Sequence, residues 1–197
     1  MNSLKIVVLY ADKNKEKNND TNKPLSFDNV NTGVTRSCIE DSIIFLYRQE
    51  ELMKVFIHEV IHSKCVDFSN IDVNKKTINL IKKMFDIKSD FVVSESYCEF
   101  WANIINTLFV SLQVSENNFD SFYENFNLLH IMEKIFSLHQ IISVLDYMGL
   151  TYKDLISGKN TYKFKEETNV FAYYILKSIW LFFSREFMGY MNKKMKI

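Results

Sequence analysis

The sequence predicts an α+β fold, predominantly helical, with a small N-terminal β-sheet and a C-terminal helical bundle. Three observations carry that expectation. Only four glycines and one proline occur in 197 residues, too few turn formers for an all-β sandwich or barrel. After residue 50, apolar side chains recur mostly at three- and four-residue spacing, the period of helices with one buried face. Ahead of it stand two short apolar, β-branched runs separated by a polar stretch.

Residues 4–10 (LKIVVLY) read as the first strand. Residues 11–31 are rich in Lys, Asn and Asp and read as a polar, flexible loop. Gly33 punctuates the chain, and residues 42–48 form a second strand that leads into a helix from about Leu52. Periodicity fades over 63–70 and returns over 74–85 with Ile78, Ile81, Met84 and Phe85. Ser94 is the expected N-cap of the next helix, whose apolar stripe is Tyr97, Phe100, Trp101, Ile104, Ile105 and Leu108. Residues 119–149 supply one or two more helices, ended by Gly149. Thr168 caps a last long helix over 169–190, before a basic tail of Lys193, Lys194 and Lys196.

The length suits a single domain over 1–197. With 24 basic and 24 acidic residues the formal charge is zero, so the basic excess of a nucleic-acid binder is missing. The run 170–183 is too short for a bilayer and carries Lys177, which argues for a buried helix and no membrane span. No signal-peptide pattern opens the chain. Cys38, Cys65 and Cys98 cannot all pair with one another; they read as core thiols, and a reducing, cytoplasmic location is expected.

The chemistry concentrates in His58-Glu59-Val60-Ile61-His62. On a helix, residues four apart share a face, so both imidazoles can reach one ion. That supplies two corners of a tetrahedral zinc shell, with Glu59 placed to take a proton from water. The competing reading is a pair of hydrogen-bonded, metal-free histidines on a partly buried helix.

This His-Glu-x-x-His run resembles the zinc metallopeptidases. The metzincin pattern requires glycine at Cys65 and histidine at Phe68, which excludes that class. The gluzincin pattern takes its third ligand from a glutamate on a following helix, and Ser94-Glu95-Ser96-Tyr97-Cys98-Glu99 is similar to it. The resemblance makes Glu95 the third ligand and Glu99 the carboxylate behind His58; Glu99 as ligand, with Glu95 elsewhere, is the alternative. It also implies that the strand 43–47 lines the cleft and pairs with an extended peptide; an ordinary sheet strand is the equal alternative. For the developing oxyanion it implies a His or Tyr from a later helix, with Tyr173, Tyr174 and His139 as the catalytic candidates. His130 is a weaker one. Arg48 could hold a substrate carboxylate, and Cys65 is near enough in sequence to act as a stray ligand. The layout is also similar to metallopeptidase-like proteins of large DNA viruses, which points to a host-cell cytoplasm. The expected activity is therefore zinc-dependent hydrolysis of a peptide or protein substrate. The alternative is a catalytically inactive, metallopeptidase-like scaffold whose metal is structural.

Overall fold

In the computed structural model, which describes residues 3–11, 14–68 and 75–194, the apolar N-terminal runs pair into a three-stranded sheet. Its strands are β1 (Lys5–Ala11), β2 (Gly33–Val34) and β3 (Ile43–Arg48), in the order β1-β3-β2. β1 runs parallel to β3, with Lys5 opposite Ile43, and β2 antiparallel, with Gly33 opposite Leu46. Along β3 alternate residues point to opposite faces, so Ile44, Leu46 and Arg48 are buried while Ile43 and Phe45 are exposed. β2 lies close over that inner face. A Cβ on Gly33 would come within 2.8 Å of Leu46 Cδ2 and 2.9 Å of Val55 Cγ1, which only glycine avoids. β3 is central, with β1 along 43–46 on one edge and β2 at 45–46 on the other. At 45–46 no edge is open for the added peptide strand.

The helices are α1 (Phe27–Val30), α2 (Leu52–Ser63), α3 (Lys75–Met84), α4 (Val93–Val114), α5 (Phe119–Tyr147) and α6 (Tyr152–Ser157). A π-helical segment, Phe171–Leu176, runs into α7 (Lys177–Phe182), and α8 (Ser184–Lys194) follows. α1 falls inside the stretch read as loop. There Ser26 and Asn29 form a capping box, Leu25 and Val30 are buried, and the Tyr147 hydroxyl donates to the carbonyls of Asp20 and Lys23. Ser94 does not cap α4. Val92 holds the N-cap position and Ser94 is buried in the first turn. Thr168 likewise fails as a cap, its hydroxyl donating to Asn31 Oδ1, and the predicted last helix breaks at Phe183. The start of the 74–85 helix at Asn74 and the tail residue Lys196 lie outside the described residues.

Two cores result. Ile57 and Ile61 of α2 pack on Cys98 and Ala102 of α4. Phe85, Val144, Leu145, Leu155, Phe171 and Ile175 form the larger core between α3, α5, α6 and the π segment. The run 170–183 is helical to Phe182 and largely buried, with Val170, Phe171, Ile175 and Leu181 fully enclosed, while Phe182 and Phe183 at its end are exposed. α5 is a second long apolar segment. At 29 residues it is long and apolar enough to cross a bilayer by length and composition, and only 22% of its apolar window is buried.

The cysteines also differ from expectation. Cys38 and Cys65, 27 residues apart, form a disulfide, Cys65 exposed and Cys38 half-buried. Cys98 alone is a core thiol. The pairing removes the thiols as grounds for a reducing compartment.

Candidate metal centre

α2 is held at both ends by residues that bear on the site. Glu51, in the left-handed region at φ 55°, precedes its first turn, and its carboxylate is gripped by Lys15 at 2.5 Å and Lys54 at 3.1 Å. At the far end Cys65 takes the left-handed position usually given to glycine (φ 56°). Its N–H donates to His62 O at 3.0 Å, and Val66 N–H to Ile61 O at 3.1 Å, the paired bonds of a Schellman cap. The N–H of Cys38 shares the His62 carbonyl at 3.1 Å. The disulfide thus pins the turn that carries His62, and a bonded Cys65 is no metal ligand.

The packing of α4 on α2 through Cys98 and Ala102 brings the first turn of α4 beneath the histidines. His58 Nε2 and His62 Nε2 stand 3.1 Å apart. Glu95 Oε2 lies 3.4 Å from the first and 3.2 Å from the second. Behind each imidazole is another carboxylate. Glu99 Oε1 is 3.1 Å from His58 Nδ1, though off the ideal line of its N–H. Asp67 Oδ2 is 2.6 Å from His62 Nδ1. If both outer carboxylates accept the Nδ1 protons, both Nε2 lone pairs face Glu95 with no donor between them. Three acceptors so arranged need a cation.

The spacing suits zinc. Ligands about 2.0–2.1 Å from a tetrahedral ion sit roughly 3.3 Å from one another, against the 3.1, 3.2 and 3.4 Å found here. With protons as the only cations, the same demand appears as pKa shifts. Burial opposes charge on His58, but hydrogen bonds to Glu95 and Glu99 outweigh it and raise the group to about 10. Burial likewise opposes charge on Glu95, and the two imidazoles overcome it, lowering the carboxyl to about 2.

Glu59 lies buried beside His58 on the pocket wall. Burial raises its carboxyl above the ordinary range, with the imidazoles pulling the other way. That is the direction expected of a base tuned toward neutral pH. Tyr173 and Tyr174 line the same pocket. The Tyr173 ring meets the His58 ring edge-on with centroids 6.1 Å apart, and its hydroxyl is shared with Asn31 and Asn169. His139 is not brought in; it is exposed on α5 and faces a different groove with Lys17 and Phe136. His130 bonds the Ser184 hydroxyl at 3.0 Å and stacks on Phe126. Arg48 is wholly internal, donating to the carbonyls of Asn31 at 2.8 Å and Asp28 at 2.5 Å, so it ties β3 to α1.

Two participants escaped the sequence reading. Asp67 lies in the irregular stretch after α2, where no fixed spacing marks it. Lys54 bonds Glu99 Oε2 at 3.0 Å, and its place one turn before His58 on the same face was a usable signal. No family model, curated protein or solved structure matches the chain.

Proposed function

We propose that the chain is a zinc-dependent metallopeptidase of the gluzincin type, acting on a peptide or protein substrate. The observation that carries this reading is the convergence of His58 Nε2, His62 Nε2 and Glu95 Oε2 within 3.4 Å of one another. Among the described residues no further His, Cys, Asp or Glu joins these three donor atoms, which favours a catalytic site with an open position over a closed structural one.

Bound zinc would acidify a water molecule and polarise the substrate carbonyl. The rest falls to side chains. Glu59 takes the proton from the attacking water and later hands it to the leaving amine. Glu99 and Asp67 hold the Nδ1 protons, fixing both tautomers and turning the Nε2 lone pairs inward. Lys54 neutralises the outer oxygen of Glu99 and keeps that carboxylate in place. A tyrosine hydroxyl, from Tyr173 or Tyr174, donates to the oxygen on which charge develops.

The test is zinc content with peptide turnover. Purified protein is expected to carry zinc, to lose activity on chelation and to regain it on zinc addition. Glu59→Gln is expected to keep the metal and lose turnover at least about 100-fold, the scale of general-base catalysis. Protein that takes up no zinc, or a Glu59→Gln enzyme with undiminished turnover, overturns the assignment.

A further inference from the structure

The pocket beside His58 and Glu59 also reaches a group with no part in that hydrolysis, the amine of Lys177. Lys177 opens α7 and is 3% exposed. Its Nζ donates to Ser137 Oγ at 3.0 Å and to Gln140 Oε1 at 3.3 Å, both on α5. These acceptors are neutral, and they occupy two of the three N–H donors of an ammonium group.

The carboxylates of the pocket wall are committed elsewhere. Glu51 is held by Lys15 and Lys54, and Glu99 by Lys54 and His58. Lys15, Lys54 and Lys177 match Glu51, Glu59 and Glu99 in number, but among the described residues no carboxylate forms an ion pair with Lys177; Glu99, Glu51 and Glu133 act on it only from a distance. A buried cation without a directly paired anion is costly, and this one is held by two acceptors and lines the pocket. Ser137, fully buried, and Gln140 aim it. Burial lowers the amine to about 8, so it still carries its charge at neutral pH.

We propose that this end of the pocket is a carboxylate subsite, in which Lys177, aimed by Gln140, seats a substrate carboxylate close to the bond that is cleaved. The carboxylate is an acidic side chain or the free C-terminus. The word substrate rests on the peptidase reading; the anion site does not.

The experiment compares binding of succinate with that of its monoamide, by calorimetry, on zinc-free and zinc-loaded protein. Wild type is expected to prefer succinate at least tenfold. Lys177→Met and Lys177→Gln are expected to bring the ratio close to one. Gln140→Glu should do the same, because it supplies the amine with a permanent partner. Far-UV circular dichroism confirms that each variant is folded. Equal binding of the two compounds by wild type overturns the subsite, as does a preference that survives in all three variants. A preference in zinc-free protein that takes up no metal upholds the subsite while sinking the peptidase reading. Two peptides then separate the sources of the carboxylate, one with an acidic side chain and amidated end, the other with a neutral side chain and free end. In protein that cleaves peptides, faster cleavage of one identifies the group that is read, and no gain for either over a neutral, amidated peptide overturns the subsite.

Discussion

Lys54 and Lys177 line one pocket, the first largely enclosed and the second buried, and their surroundings differ in kind. Lys54 lies between two carboxylates, Glu51 and Glu99. Burial opposes its charge, yet those partners raise its pKa above the ordinary lysine value. Lys177 has a hydroxyl and an amide oxygen in their place, and burial prevails, lowering it to about 8. The same side chain at similar depth is therefore structural in one place and available in the other. Depth sets the cost of the charge; the partners decide who meets it.

The largest effect that sharpens this contrast is expected from Lys54→Met. It leaves Glu51 and Glu99 facing each other without their common cation, and breaking a buried pair costs about 3–5 kcal/mol. Urea denaturation measures it, and a loss below about 1 kcal/mol would show that water reaches these carboxylates. Next comes the partner of the second imidazole. Asp67→Asn keeps the shape but not the charge at His62 Nδ1, and zinc affinity should fall about 10–100-fold, read by competition with a chromophoric chelator.

Lys177→Met is expected to act in the opposite direction to Lys54→Met, stabilising the fold at pH 7 by on the order of 2 kcal/mol after the two lost hydrogen bonds are allowed for. With a folded pKa of about 8 against the usual 10.5, the unfolded chain binds a proton that the native state gives up between those values. Wild-type stability therefore climbs with pH through that window. The methionine variant lacks the group, so its advantage should shrink from pH 7 to pH 10; a constant difference would mean the amine is not the cause. The smallest effect is expected on the outside of α5. Ile135 is 62% exposed, and Ile135→Glu should change stability by less than about 0.5 kcal/mol. A larger loss would show that this apolar face is covered in solution.

α4 explains how so much polarity is tolerated near the centre. Ser96, Glu99, Asn103, Thr107 and Ser111 are all buried on it. Thr107 and Ser111 donate to carbonyls one turn back, at 2.8 and 2.7 Å, and Asn103 to Glu133 of α5 at 2.8 Å. Apart from Asn103 Oδ1, which has no hydrogen-bond partner among the described residues, these groups are satisfied at close range, so the helix can approach α5 through small residues at modest cost. The sequence reading placed this helix through its apolar residues; its polar face carries the contact to α5.

Legibility followed distance along the chain. His58, Glu59 and His62 could be named because helix geometry fixes their relation within one turn. Glu95 and Glu99 could be named as a pair, but which of them met the Nε2 atoms stayed open. Asp67 and Lys177 carried no mark, since each works through a partner brought near by folding. Ser94 and Thr168 were misread because local capping preference yielded to burial in one case and to a bond with Asn31 in the other.

Periodicity and the scarcity of glycine and proline were enough to determine a helix-rich chain with a short leading sheet and a pair of imidazoles one turn apart. Only the tertiary structure decided that Glu95 faces both rings, that Asp67 closes behind His62, that Cys38 meets Cys65, and that Lys177 is left without a directly paired anion. The reason is the range of the forces involved. Dihedral preference and amphipathic period act over a few residues, whereas helix crossings, disulfides and buried charge depend on what lies nearby in space.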